Sequence, residues 1–213
     1  MVANPRYWKG RPQIDKFVLK EVPDPETTRM LFESGAVDLC DCDSAESRIP
    51  YFLARPKWSR QIASGPSIGL FYYSINQKIK PFDDVRVRKA FQMAVDRKLI
   101  LAKLFHNQGQ LEDGIMPVGL MHFNAKKPRI EYNPAKAKAL LAEAGYPNGV
   151  DMEIALVAGS TTSRSQKISE IVQAMVMKAG FRVTLKQMDE AAFYATRKEG
   201  KLPMYTNRWS ADF

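Results

Sequence analysis

The sequence predicts an α/β protein whose mixed sheets are flanked by helices. Two stretches, residues 17–42 and 152–188, each have the pattern of a strand, a helix and a second strand. A β-α-β order favours parallel pairing, because a crossover helix returns the chain to the starting edge of the sheet. Between the two stretches lies a strongly periodic helical segment at residues 81–105. This alternation of strands and helices is typical of the α/β class.

The composition is that of an ordinary globular protein. The 213 residues are 45% hydrophobic and 26% charged, which is enough chain for one full core or two small ones. Apolar runs such as residues 70–73 and 139–142 are far shorter than the ~20 residues that cross a bilayer, so we expect no membrane span. Residues 1–10 lack the apolar region of a signal peptide. Because the chain starts in a polar loop and stops just after a strand-like run, we expect a truncated form of a longer protein.

The net charge of +9 admits an anionic partner. However, the 32 Lys and Arg residues are scattered over every helix face, and no zinc-finger or RNA-binding signature accompanies them. We interpret these residues as a solvated surface and expect no nucleic-acid partner.

Two cysteines, Cys40 and Cys42, are two positions apart and would point to the same side of a strand. A disulfide between such close neighbours is strained, and no clustered histidines complete a zinc site. We expect small buried residues here, with no metal bound.

The first strand–helix–strand unit is predicted in the first 64 residues. Residues 17–22 and 36–42 have the composition of strands. The helix between them is expected to begin at Asp24 or Thr27 and to end at Gly35.

A second helix is predicted over residues 44–59, where aromatic residues lie near proline breaks. Residues 62–76 then have the pattern of an extended crossing, in which Gly65 and Gly69 mark bends of the backbone.

The clearest helix of the sequence begins near residue 84. Asp83 or Asp84 can cap its first turn, and Asp96 is expected to cap a second short helix. Apolar residues recur at three- and four-residue spacing on the first of these helices: Val87, Ala90, Phe91, Ala94 and Val95. Burying a side chain such as Phe91 contributes roughly 1.5 to 3 kcal/mol, so this helix pair is predicted to be the packing centre of its domain.

Residues 109–124 lack periodicity and are predicted to form a long loop, a class of segment that often contributes to binding. His106 and His122 flank this loop but have no chelating spacing, so we interpret each as an ordinary surface or core histidine.

The remaining elements follow from caps and periodicity. Asn133, Pro134 and Gly145 mark the beginning and end of a helix with a packing role. Further elements are a helix over residues 163–180 between the strands 152–158 and 181–188, a short helix over residues 189–199 and a final strand over residues 203–209.

Ligands collect at the carboxyl ends of strands in open α/β sheets. Two such ends are expected to converge here, at residues 159–165 and at residues 209–212. The first also precedes a helix, whose N-terminus offers free N–H groups.

Four stretches, in the same order, resemble the family 5 extracellular solute-binding proteins, the dipeptide, oligopeptide and nickel receptors of bacterial ABC importers. The most similar stretch is PFDDVRVRKAFQMAVDRKLI at residues 81–100. The others are residues 7–43, 132–149 and 209–213.

The resemblance implies a type II periplasmic-binding-protein-like fold, present as an incomplete two-lobe receptor. Residues 1–66 would be the C-terminal portion of the large lobe, lobe I, ending in the hinge crossing. Residues 67–213 would form most of lobe II, truncated at its C-terminal end.

The implied function is that of the substrate-binding component of an ABC transporter. It would capture di- or oligopeptides in the periplasm or at the outer face of the cytoplasmic membrane and deliver them to the permease subunits. An alternative is a receptor for nickel, another metal chelate or a small solute on the same scaffold. Catalytic motifs such as G-x-S-x-G and H-E-x-x-H are absent from the sequence, so we expect no enzyme, no catalytic residue and no cofactor. We expect a monomer.

The resemblance assigns roles to the end of the chain. W-x-A-D-F at residues 209–213 matches a motif in which the aspartate, here Asp212, accepts the α-ammonium group of a peptide. Trp209 would form a flat apolar wall. The alternatives are that Trp209 is a core residue at a strand end and that Asp212 is a turn residue or helix cap.

Two arginines of the family pattern have no direct counterpart in this chain. Oligopeptide receptors often have an arginine three residues before the tryptophan, where this chain has Thr206, and its nearest arginine is Arg208. Dipeptide receptors bind the peptide carboxylate with an arginine where this chain has Gly159, which leaves Arg164 as the candidate for that role. Tyr72 would lie close to the cleft, as would its neighbour Tyr73, although an aromatic pair on a strand also fits a core.

Overall fold

The computed structural model describes residues 1–41, 48–63, 65, 68–158 and 164–211. The chain forms two compact units, Met1–Ile49 and Pro50–Phe213. Its elements, in order, are α1 (Pro25–Glu33), α2 (Arg48–Leu53), α3 (Pro56–Ser59), β1 (Gly69–Ile75), α4 (Val85–Ala94), α5 (Arg97–Leu104), α6 (Pro134–Glu143), β2 (Val150–Val157), α7 (Arg164–Met177), β3 (Phe181–Met188), α8 (Glu190–Lys198) and β4 (Met204–Ser210).

The first unit contains α1 but not the strands predicted on either side of it. The Asp24 carboxylate caps α1 by accepting a hydrogen bond from the Thr27 N–H at 2.6 Å, as predicted. Residues 17–22 and 36–41 form no strand, so the predicted β-α-β unit is wrong for the described residues. Leu19 is 82% exposed, and a strand whose backbone lacks a partner ladder is not stable on its own.

The predicted second helix is two short helices, because Pro56 interrupts it. Proline lacks the N–H that an inner helical position must donate, so α2 ends at Leu53 and Pro56 instead begins α3. The prediction for residues 44–47 lies outside the described part of the chain, as does Cys42. Cys40 is half-buried rather than buried.

The second unit is built on one mixed sheet with the strand order β1-β4-β2-β3. The last predicted β-α-β unit is confirmed, with β2 and β3 parallel from Val150↔Phe181 to Val157↔Met188. β4 runs parallel to β2 through the pair Ala155↔Tyr205 and antiparallel to β1. Therefore the C-terminal ends of β2, β3 and β4 lie on the same side of the sheet as the N-terminal end of β1. We use the word edge for such a border formed by strand ends.

Helices α4, α6 and α7 cover one face of the sheet and form the main core. Phe91 of α4 makes an edge-on contact with Phe181 of β3 at 5.6 Å between ring centres, and it is 4% exposed. Helix α4 is therefore a packing centre, whereas α5, the second helix of the predicted pair, has no fully buried residue and packs against the core only with partly buried side chains. A smaller cluster on the other face contains Phe193 of α8, with Ala155 and Leu202.

Side-chain caps begin the helices of this unit where the sequence predicted them. Asp84 accepts from the Arg86 N–H, Asp96 from the Leu99 N–H, and Asn133 from the Lys136 N–H. Each cap satisfies an N–H group that has no partner within its helix. Asp189 does the same for α8.

In the part of the chain that the structure describes, no helix has the length and apolar character that a membrane crossing requires. The compact units divide the chain at Ile49 and Pro50. The predicted division at residues 66 and 67 concerns the lobes of a receptor, and it stays a prediction.

Candidate functional site

The candidate site is the edge of the sheet where β4 ends and β1 begins. The Ala211 N–H donates to the Ile68 carbonyl at 2.9 Å and extends the β1–β4 ladder by one pair beyond Gly69↔Ser210. At Gly69 a Cβ atom would lie 2.9 Å from the Trp209 carbonyl oxygen, so the two strands approach too closely here for a side chain. The ladder therefore holds the backbone of Trp209 in a fixed position.

Tyr72 and Trp209 share one face of this ladder. Tyr72 is paired with Asn207, and Trp209 is paired with Leu70, which makes the two aromatic residues diagonal neighbours at roughly 7 to 8 Å between Cα atoms. Each is 39% exposed. The Tyr72 hydroxyl accepts a hydrogen bond from Asn207 Nδ2 at 3.1 Å, which fixes the direction of the phenol ring. Leu70, Tyr72, Asn207 and Trp209 thus form one partly exposed surface on this face of the ladder.

Tyr73 points to the opposite face and belongs to the main core. Its hydroxyl is hydrogen-bonded to Ser169 Oγ of α7 at 3.0 Å, and its ring makes an edge-on contact with Phe91 at 6.2 Å. Burial raises the pKa of Tyr73 to about 12, and the hydrogen bond with Ser169 opposes this shift only in part. Of the two tyrosines expected near the cleft, the structure leaves Tyr72 at the surface and packs the partly buried Tyr73 against the main core.

The two candidate arginines lie on the side of the sheet that α7 covers. Arg208 is paired with Phe71, so it shares the face of Phe71 and not that of Trp209, and it is exposed. Arg164 is the first residue of α7, and its guanidinium carbon lies 5.0 Å from the ring centre of Phe105. The structure brings Tyr72 and Trp209 together, and it places neither arginine on their face.

Other sequence-based candidates lie outside the described residues. Asp212, the candidate for the peptide α-ammonium group, is one of them, and so is the position of the dipeptide receptors' arginine, Gly159. The roles predicted for Asp212, Trp209, Arg164, Tyr72 and Arg208 stay predictions.

Asn207 is a site residue that the sequence analysis missed. The alternation of side chains along β4 was a usable signal, because Asn207 and Trp209 are two positions apart and must share a face. The partner of Asn207 was not predictable, because Tyr72 is 135 residues away and the register of β1 against β4 decides the pair.

A separate cavity of about 250 Å³ lies at the opposite edge of the sheet, where β2 and β3 begin. Lys138 and Tyr146 line it together with Gly149 and Gly180. None of the candidate residues lines this cavity, so we do not assign the solute to it. Among the described residues, no group of three or more His, Cys, Asp or Glu side chains is placed to hold a metal ion.

The sheet and its covering helices have the fold of the type II periplasmic binding proteins. One structure with this fold is the ABC transporter-associated periplasmic binding protein DppA from Helicobacter pylori in complex with the peptide STSA. It matches with a TM-score of 0.79 and 23% identity, over 100% of this chain and 40% of that chain.

The chain belongs to the family described as bacterial extracellular solute-binding proteins, family 5 Middle, whose sequence profile matches residues 1–213. The heme-binding protein A of Haemophilus influenzae is 31% identical over 99% of this chain and 38% of its own length. The nickel-binding periplasmic protein of Escherichia coli is 28% identical over 100% of this chain and 43% of its own length. The chain thus spans about two fifths of the length of these curated relatives. The predicted family is confirmed.

Proposed function

We propose that this chain is part of the substrate-binding component of an ABC importer and that its solutes are di- or oligopeptides. The observation that carries the proposal is the match to a family of extracellular solute-binding proteins over all 213 residues. The protein would bind its solute in the periplasm or outside the cytoplasmic membrane and deliver it to the permease. It would act as a monomeric receptor without catalytic residues, since members of this family are binding proteins rather than enzymes.

The surface formed by Tyr72 and Trp209 supports a receptor that tolerates varied solutes. Two half-exposed rings offer flat apolar area at a low cost in side-chain entropy, and such a wall accepts side chains of different shape. Specificity for peptides would then come from their charged ends and their backbone rather than from their side chains.

For the amino end of the peptide we propose Asp212. A carboxylate next to an ammonium group is worth up to about 4 kcal/mol at a separation of 4 Å and an effective dielectric constant of 20, before desolvation is subtracted. For the carboxylate end, Arg164 is the proposed residue, although it lies on the side of the sheet that α7 covers.

The test is the Asp212→Ala substitution in the full-length gene product that carries this chain. We expect it to weaken the binding of free peptides and to spare their N-acetylated forms, because acetylation removes the charge that Asp212 would bind. Asp151→Ala is the matched control, since Asp151 is an exposed aspartate at the opposite edge of the sheet. Equal losses for free and acetylated peptides would remove Asp212 from this role.

A receptor for nickel or another metal chelate is the second candidate. It is favoured by the similarity to the nickel-binding periplasmic protein, which covers the whole of this chain. Calorimetry with a mixed pool of di- to pentapeptides, against nickel, nickel–histidine and hemin, separates the two. Binding of a metal chelate without binding of any peptide would replace the peptide proposal.

A further inference from the structure

A long loop after α5, residues 113–130, is held closed at its base by Arg97. The Arg97 guanidinium donates to the Glu112 carbonyl at 2.7 Å, to Asp113 Oδ1 at 2.5 Å and to the Ile130 carbonyl at 3.2 Å. Asp113 Oδ1 also accepts from the Ile130 N–H at 3.1 Å, which joins the two ends of the loop directly. We call residues 113–130 the clasped loop.

A second ion pair joins Lys127 of the clasped loop to Glu112, the residue just before the loop. Lys127 Nζ lies 2.5 Å from Glu112 Oε2, and the two side chains are only 19% and 11% exposed. Lys127 also lies over the Phe123 ring, at 4.7 Å from its centre. Separating the two partners of an ion pair this well shielded from water is costly, because each charge would be left buried and unpaired. The pair therefore holds its two residues together. The clasped loop is therefore a positioned element.

The clasped loop reaches the end of the β1–β4 ladder. A Cβ atom added to Gly119 would lie 3.1 Å from Cδ1 and from Cγ1 of Ile68, so the Gly119 backbone packs directly against the Ile68 side chain. Ile68 is opposite Ala211 at the end of the ladder, one pair beyond Gly69↔Ser210. The loop thus borders the candidate site.

Val118, which precedes Gly119, and Met121, which lies two residues after it, are apolar and lie at the surface. Val118 is 41% exposed and Met121 is 82% exposed. Consecutive Cα atoms are about 3.8 Å apart, so the Cα atoms of both residues lie within about 8 Å of the Gly119 Cα, which is close to Ile68. Exposed methionines adapt their shape to apolar ligand groups of different size.

We propose that the clasped loop forms an additional wall of the solute site, which receives an apolar side chain of the bound solute on Val118 and Met121. Arg97 is its positioning residue. The inference depends on the proposed function, because it assigns a specificity element to the same site.

The test compares two methionines in the full-length gene product that carries this chain. Met121→Gln changes the proposed wall, whereas Met177→Gln changes a methionine that is 63% exposed at the end of α7, which lies at the opposite edge of the sheet. Dissociation constants are measured by calorimetry for the peptides Ala-Ala-Ala and Ala-Phe-Ala. We expect Met121→Gln to weaken Ala-Phe-Ala by about fivefold to tenfold and to leave Ala-Ala-Ala within about twofold, while Met177→Gln changes neither.

A second variant tests the positioning role. Arg97→Gln is expected to increase amide hydrogen exchange within residues 113–130 and to reduce the preference for Ala-Phe-Ala. Lys136→Gln, at an exposed ion pair with Glu131, is the control. Unchanged exchange and preference in Arg97→Gln would remove Arg97 from its role.

The possible failures can be distinguished. If the wild-type protein binds the peptides and Met121→Gln behaves like Met177→Gln, the loop wall is wrong and the proposed function stands. If the wild-type protein binds neither peptide, the peptide proposal is wrong, and the loop wall is overturned with it.

Discussion

At the scale of single residues, Tyr72 and Tyr73 show how strand alternation separates neighbours. Tyr72 is half-exposed and accepts a hydrogen bond from Asn207, whereas Tyr73 packs against the core and its hydroxyl is hydrogen-bonded to the Ser169 hydroxyl. The two phenols are adjacent in sequence, yet they belong to different environments because successive side chains of a strand point to opposite faces. One can contact a solute, and the other stabilises the attachment of α7 to β1.

Tyr73 makes the stability of the protein depend on pH in the alkaline range. Its pKa is raised to about 12 by burial, while an unfolded tyrosine keeps the ordinary value of 10.0. The raised pKa contributes stability that is fully present below pH 10 and is lost as the pH rises through 12, by up to about 1.4 kcal/mol per pH unit. We expect Tyr73→Phe to remove this decline.

Urea unfolding at a series of pH values from neutral to 12 measures this effect. Tyr72→Phe is the control, and it is expected to keep the decline because Tyr73 is intact. Tyr73→Phe also leaves the Ser169 hydroxyl without this partner, which we expect to cost about 1 to 3 kcal/mol at neutral pH. If the free energy of unfolding of Tyr73→Phe declines with pH at the same slope, the decline comes from groups other than Tyr73.

At the scale of elements, caps and the close approach of two strands position the site. α4, α5, α6 and α8 each begin at a side chain that accepts a backbone hydrogen bond. The β1–β4 ladder depends in turn on the absence of a side chain at Gly69. The helices build the core that supports the sheet, and the ladder places Trp209 at its edge.

Gly69→Ala is expected to disrupt the end of this ladder. The added Cβ would meet the Trp209 carbonyl oxygen at 2.9 Å, and a backbone atom cannot move aside without breaking the pairing. We expect a loss of about 1 to 3 kcal/mol in the free energy of unfolding, and weaker solute binding in the full-length gene product. Gly65→Ala is the matched control, since no atom lies within 4 Å of its added Cβ. Equal stability of the two variants would show that the ladder end relaxes.

Asn133 tests the cap of α6. Its side chain accepts a hydrogen bond from the Lys136 N–H at 3.0 Å, and alanine cannot replace this bond. We expect Asn133→Ala to lower the free energy of unfolding by about 1 kcal/mol in urea titrations. Asn124→Ala is the control, because Asn124 makes a similar bond to the Lys126 N–H outside any helix. An equal loss of unfolding free energy in Asn124→Ala would mean that the bond at the helix cap stabilises the protein no more than a similar bond in a loop.

At the scale of the whole molecule, the scaffold is defined by the family and the solute is not. The named relatives bind heme and nickel, and one structure with the same fold contains a peptide. In each of these proteins, the part that matches this chain is about two fifths of that protein's own length. A receptor that closes two lobes around its solute needs contacts from both, and hinge closure of this kind is typical of periplasmic binding proteins.

We therefore expect the isolated 213-residue chain to bind peptides weakly or not at all. Calorimetry with the mixed pool of di- to pentapeptides measures this directly, with a receptor of the length of the relatives as the comparison. Tight binding by the isolated chain would contradict the prediction that the solute is held between two lobes.

The sequence by itself determined those elements whose signals are local. Asp84, Asp96 and Asn133 were predicted as caps because a capping bond joins residues two or three positions apart. The core face of α4 and the parallel unit of β2, α7 and β3 followed from periodicity. The family was identified from four short stretches, among them the W-x-A-D-F motif at residues 209–213.

Only the tertiary structure decided which residues form the candidate surface. It placed Trp209 beside Tyr72, because the register between β1 and β4 joins residues more than 130 positions apart, and it decided that the face with Tyr73 and Arg208 is the one that α7 covers. It also left residues 17–22 without a strand, since strand composition forms a strand only where another segment completes the ladder. Pairing over long sequence distances is set by the fold of the whole chain, and no local pattern contains it.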